Sequence, residues 1–224
     1  DGDGLCDLYL LYQGAGGMGE ALPWVGDDIS GEPNALWRNL GGGKFENVSG
    51  PSNTGAGKRN SFAATWLYAD GDALPDLYVA NDFGANNLLR NLGGGRFEDI
   101  AAASGVADFA TSMGVASGDL DNDGSPEIYV ANMYSKMGRR IIAQVSDQDY
   151  APGVYAQIKG ACAGNRLYKR SRDGGPFTES SEGLGINNIG WAYAPAFVDL
   201  DNDGLLDLHA CTGFLSFDRR KPDG

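Results

Sequence analysis

Histidine, cysteine and basic charge are scarce in this chain, and each scarcity closes off a class of chemistry. There is one histidine, His209, in 224 residues, so Ser-His-Asp and Cys-His arrangements have a single base to draw on. Cys6, Cys162 and Cys211 lie far apart with no C-x-x-C spacing, which argues against zinc or iron–sulfur sites and allows at most one internal disulfide. They read as small buried hydrophobes. Lysine and arginine total 17 against 30 aspartates and glutamates, a formal net charge of −13. Nucleic acids and anionic membrane surfaces need a basic face, so neither is an expected partner. No apolar run approaches the ~18 residues of a membrane span, the longest being stretches such as 8–12, and direct membrane insertion is not expected.

Glycine, by contrast, is abundant: 35 of 224 residues, more than twice the usual share of about 7%. There is no Gly-X-Y period, and an apolar fraction of 42% supports a packed core. Much glycine with many Tyr and Phe reads as short strands joined by tight turns.

Internal repetition organises the chain. Four segments share one pattern: Asp1-Gly-Asp-Gly-Leu-Cys-Asp7-Leu-Tyr-Leu, Asp70-Gly-Asp-Ala-Leu-Pro-Asp76-Leu-Tyr-Val, Asp121-Asn-Asp-Gly-Ser-Pro-Glu127-Ile-Tyr-Val and Asp201-Asn-Asp-Gly-Leu-Leu-Asp207-Leu-His-Ala. Three are followed by a second element: Asn34-Ala-Leu-Trp-Arg-Asn-Leu, Asn87-Leu-Leu-Arg-Asn-Leu and Asn165-Arg-Leu-Tyr-Lys-Arg. Each of these runs into a glycine-rich tip (41–43, 93–95 and 173–175), then a short aromatic run at Phe45, Phe97 or Phe177. The unit is therefore strand, acidic loop, strand, strand, tight turn, strand. Strands are expected at 77–80 and 128–131, with small-residue strands at 61–68 and 111–118 that suit a crowded innermost position. A four-stranded unit cannot bury both faces alone, so neighbours must stack, and the radial solution is a β-propeller.

The expected fold is all-β: a partial propeller of about three to four four-stranded blades in a single unit, 1–224. Its parts are 1–50, 61–103, 111–182 with an insertion at 133–164, and 189–215. A further insertion covers 14–33, and 139–149 is the best helix candidate. Both ends fall inside a repeat, so the chain reads as a segment of a longer protein, with further polypeptide completing the propeller.

The acidic loops point to a hard cation. In 119–127 and 199–207, carboxylates stand at positions 1, 3, 5 and 9: Asp119, Asp121, Asp123 and Glu127, then Asp199, Asp201, Asp203 and Asp207. Four carboxylates on nine residues repel unless neutralised, and Ca2+ accepts many oxygen ligands in irregular geometry. Gly124 and Gly204 permit the turn, and Ser125 and Leu205 would offer backbone carbonyls. An EF-hand would need a bidentate Glu at position 12, where this chain has Val130 or Ala210 inside a strand. The other two loops are depleted. The first retains Asp1, Asp3, Leu5 and Asp7; the second retains Asp70, Asp72, Leu74 and Asp76 but has Tyr68 at position 1 and Ala73 at position 6. Four ions would reduce the charge of −13 to about −5.

These residues resemble FG-GAP/VCBS repeats, as in integrin α-subunit propellers. They are most similar to the cartilage acidic protein (ASPIC/UnbV) group common in secreted bacterial proteins. The run Asp76-Leu-Tyr-Val-Ala-Asn-Asp-Phe-Gly84, its continuation Asn87 to Asp99, and the loop 199–207 after Trp191 carry the resemblance. It implies a calcium-loaded extracellular propeller, secreted, at the cell surface or periplasmic. Tyr68 and Ala73 depart from the pattern.

The leading functional expectation is a non-enzymatic calcium-binding module for protein or glycan binding and adhesion. The alternatives are the propeller domain of a secreted carbohydrate-active enzyme, such as a polysaccharide lyase, and a structural subunit of an extracellular assembly. His209 replaces the repeat tyrosines Tyr78 and Tyr129, which points to a core-facing strand position rather than a catalytic base. Trp37 and Trp66 read as blade core, and Trp24 as a surface aromatic able to stack on a sugar. Asn47-Val48-Ser49 is the sole glycosylation sequon.

Overall fold

The computed structural model describes residues 1–13, 32–170 and 175–213. Strands take 39% of the chain and helices 11%, so the fold is all-β. Trp24, most of the first insertion and most of the 173–175 tip lie outside the described residues.

The strands follow the repeat. The first sheet is a meander of β1 (Leu8–Leu10), β2 (Ala35–Asn39) and β3 (Phe45–Asn47). The second repeat forms β4 (Asn60–Leu67), β5 (Asp76–Ala85), β6 (Asn87–Asn91) and β7 (Phe97–Asp99). The third forms β8 (Phe109–Gly118), β9 (Glu127–Asn132), β10 (Arg166–Lys169) and β11 (Thr178–Glu179), and the last forms β12 (Ala192–Val198) and β13 (Asp207–Thr212). Every pairing is antiparallel, including one between repeats, where Asp82 to Ala85 of β5 pair with Phe109 to Thr111 of β8. The short helix α1 (Ser49–Ser52) follows β3.

Strict alternation along the second strand of each repeat builds the core, because successive side chains of a strand face opposite sides. Leu77 and Val79 point to the first sheet, packing with Leu36, Leu89 and Phe97. Tyr78 and Ala80 point the other way, into a cluster with Leu88, Val106, Ile128, Val130 and Tyr168. From β9, Tyr129 and Ala131 pack with Leu167 and Ala192 toward the last sheet. Both faces of β5 and β9 are thus interfaces between repeats, the second and third of which share one curled eight-stranded sheet, and Leu77 to Ala80 and Ile128 to Ala131 are all 0% exposed. This is the stacking of blades in a propeller.

The small residues of β8 serve close approach. A Cβ on Gly114 would lie 2.6 Å from Pro195 Cδ, and one on Gly118 would lie 3.0 Å from Phe197. Buried asparagines then lock each second strand to the third. Asn34 accepts from the Tyr12 N–H, Asn86 from Asn81 and Asn165 from Asn132, at 2.9, 2.7 and 2.8 Å.

Several expectations from sequence need correction. The helix expected at 139–149 is divided: α2 (Lys136–Ile142) ends early, and a single 3-10 turn occupies Asp147–Asp149. A further helix, α3 (Val154–Ala161), docks on β8. Cys6 and Cys211 are exposed and Cys162 half-buried, all as free thiols, because Cys6 lies in a loop and Cys211 on the outer strand of a two-stranded sheet. His209 is exposed on that same β13, unlike the fully buried Tyr78 and Tyr129, since no described sheet covers it. Trp66, on β4, packs edge-on against Tyr9 and obliquely against Phe97, yet stays 42% exposed. Trp37 is half-buried.

Candidate metal centres

Each acidic loop leads into the second strand of its repeat, and its backbone turns at fixed positions. Position 4 is left-handed in all four loops, at Gly2, Gly71, Asn122 and Asn202. Position 6 is left-handed at Gly4, Gly124 and Gly204. Glycine and asparagine tolerate that conformation best, which accounts for the alternation of Gly and Asn at position 4.

Hydrogen bonds then fold the loop around its first carboxylate. Asp119 accepts from the N–H groups of Asp123 and Gly124, at 2.9 and 2.8 Å. Asp199 accepts from Asp203 and Gly204, at 3.1 and 2.9 Å. The last carboxylate closes the loop onto position 2: Glu127 accepts from Leu120, Asp207 from Leu200 and Asp76 from Ala69, at 2.7, 2.9 and 2.8 Å. The outcome is convergence. Oxygen atoms of Asp119, Asp121 and Glu127 lie within 4.8 Å of one another, as do those of Asp199, Asp201 and Asp207.

That spacing fits calcium. Two oxygens each about 2.4 Å from one ion lie at most about 4.8 Å apart. Asp123 and Asp203 stand outside the converging trios, each accepting from a backbone N–H at 2.8 Å, that of Ser125 or Leu205. Ser125 and Leu205 therefore contribute N–H groups to the closure of the loop. The two loops also touch, the Asn122 side chain donating to the Gly204 carbonyl at 3.0 Å.

The first two loops gather no such trio among the described residues. Asp3 and Asp72 accept from Leu5 and Leu74, and Asp1 and Asp70 from Asp3 and Asp72. Here the position-9 carboxylate is engaged by the third strand: Asp7 accepts from the Asn39 N–H and Asp76 from the Asn91 N–H, both at 2.8 Å. Asn39 and Asn91 also donate to the position-8 carbonyls of Cys6 and Pro75, and each accepts from the first glycine of its own tip. One asparagine thus joins loop, strand and hairpin. The repeated Arg-Asn-Leu-Gly motif carried this signal, but its partners are distant in sequence. At position 1 of the second loop stands Tyr68, 55% exposed.

Burial dominates the electrostatics. It raises the Glu127 and Asp76 carboxyls above their ordinary range, against the opposing pull of backbone N–H donors. Asp82, apart from the acidic loops, is pushed up to about 7 by burial, and one of its oxygens has no hydrogen-bond partner. The next residue, Phe83, has φ of 53°.

Repeated meanders with an acidic loop between strands have counterparts in known proteins. Residues 69–130 match the FG-GAP-like repeat. The chain is also similar to Cartilage acidic protein 1 of Xenopus tropicalis, 29% identical over 170 residues. That alignment covers 61% of this chain and 26% of the frog protein. The mouse protein of the same name is 28% identical over 166 residues, covering 59% and 26%. The human one is 27% identical over 166 residues, covering 59% and 25%. The resemblance read from the motifs is thereby borne out, and the chain spans about a quarter of the length of these curated relatives. The matched FG-GAP-like repeat starts at position 2 of the second acidic loop and ends within β9, so it includes the converging trio at 119–127.

Proposed function

We propose that this chain is a non-enzymatic, calcium-stabilised propeller module that works outside the cell and binds a protein or glycan partner. The carrying observation is the convergence of three carboxylates to within 4.8 Å in each of two loops. Bound calcium would neutralise these groups and fasten β8 to β9 and β12 to β13. Its work is structural, because each trio sits in the connection between two strands of one sheet. Extracellular calcium modules bind with Kd of about 10⁻⁴–10⁻³ M, so they fill at millimolar calcium outside cells and stay empty at cytosolic levels. The extracellular reading follows from that chemistry and from the cartilage acidic proteins the chain resembles. Further polypeptide would cover the first and last sheets, where Leu8, Leu10 and Val198 are exposed.

Thermal unfolding with calcium and with chelator tests the reading. Saturation at 100 times Kd should add about 2.7 kcal/mol per site. The double variant Asp121→Asn, Asp201→Asn should lose most of that response. Equal midpoints with calcium and with chelator, together with no bound ion by elemental analysis, would overturn it.

A further inference from the structure

Lys169 holds the place on β10 that arginine holds in the two preceding repeats. Arg38 on β2 stands directly opposite Glu46 on β3, and Arg90 on β6 directly opposite Glu98 on β7. Each pair closes to 2.7 Å. Directly opposite Lys169 on β11 is Thr178. With no carboxylate directly opposite it, the Lys169 ammonium reaches 3.2 Å from Asp121 Oδ2, one of the three converging carboxylates of the 119–127 loop. Among the described residues, no lysine or arginine forms an ion pair with Asp199, Asp201 or Asp207. The two complete loops thus share a ligand pattern but differ, among the described residues, in one tethered positive charge.

We propose that Lys169 is a built-in competitor for the cation of the 119–127 loop, so that this loop fills at higher calcium than the 199–207 loop. The inference rests on the calcium reading above. A divalent ion entering the 119–127 trio must either displace the ammonium from Asp121 or bind beside a like charge. Both weaken binding, and among the described residues neither arises in the other loop. The ammonium also serves the empty state, lessening repulsion among Asp119, Asp121 and Glu127. The substitution of Thr178 for the cross-strand glutamate releases Lys169 for this role.

Calcium titration against a fluorescent chelator indicator tests the assignment, beginning from the Asp201→Asn protein, in which the 119–127 loop is the remaining complete site. Lys169→Met should tighten calcium binding there by about fivefold, the scale of a half-exposed ion pair. Thr178→Glu restores the partner that Arg90 has in Glu98 and should tighten binding similarly with Lys169 in place. In the Lys169→Met background it should add nothing. Lys169→Met should leave affinity unchanged in an Asp121→Asn protein, where the 199–207 loop remains. Unchanged affinity in both single variants of the Asp201→Asn protein overturns the role of Lys169 while the calcium reading stands. Tightening by Thr178→Glu irrespective of residue 169 overturns it too. Absence of bound calcium in every protein overturns both.

Discussion

Asp82 shows how one buried group imposes a pH dependence on a strand. One of its oxygens is buried without a partner, and desolvation raises the carboxyl from 3.8 to about 7. The folded state therefore holds this proton more tightly than the unfolded chain does. Its contribution to stability is complete below the ordinary carboxylate range and is lost as pH rises from about 4 to about 7. Asp76, Asp108 and Glu127 are raised by burial as well and act in the same direction. Denaturant unfolding in chelator, across that pH interval, should show stability declining as pH rises. Asp82→Asn should flatten the decline, and an unaltered slope in the variant would show that Asp82 does not cause it. The glycine tips illustrate the opposite economy: Gly93, Gly94 and Gly95 all have positive φ, so three consecutive left-handed residues turn the chain without strain.

At the scale of elements, the helical insertion of the third repeat is held on by close backbone approaches. A Cβ on Gly160 of α3 would meet the Phe109 carbonyl, and one on Gly164 would meet the Asn187 carbonyl and the Tyr134 ring. Gly164 also has φ of 91°, and its carbonyl accepts from the buried Asn132 side chain at 2.9 Å. Gly164→Ala thus combines left-handed strain with a collision against backbone and should cost about 2 kcal/mol or more. Gly183→Ala is the control, because the nearest atom to its Cβ, the Ser180 carbonyl oxygen, is 3.8 Å away. It should alter stability by less than about 0.5 kcal/mol. Urea unfolding of the two variants measures the contrast, and equal losses would remove the argument from close approach.

Over the whole molecule, a net charge of −13 acts against compactness. Two divalent ions, each with two positive charges, would bring it to −9. Part of the benefit of calcium should therefore be general relief of self-repulsion, which monovalent salt also supplies by screening. In chelator, the unfolding midpoint should rise as sodium chloride increases from about 0.01 M to about 0.15 M, where the screening length falls from about 30 Å to about 8 Å. With calcium present the rise should be smaller. Equal salt dependence in both conditions would confine the effect of calcium to its loops.

The sequence alone determined the all-β class, the repeat and the acidic loops, because each is written within a few residues of chain. The alternation at 77–80 and 128–131 and the aspartates at every second position of a loop are local patterns, legible without knowing what lies across from them. Tertiary structure decided which carboxylates meet. Asp119, Asp121 and Glu127 converge while Asp123 turns aside to the Ser125 N–H, a choice made by how the loop closes. It also decided that Asn39 and Asn91 bind carbonyls more than ten residues away, and that His209 and Trp66 are exposed although their repeat positions suggested core. Lys169 reads in sequence as one more basic residue of the repeat motif. Its contact with Asp121 arises because folding places Thr178, with no charge to offer, directly across the strand, and brings the loop of another hairpin within reach.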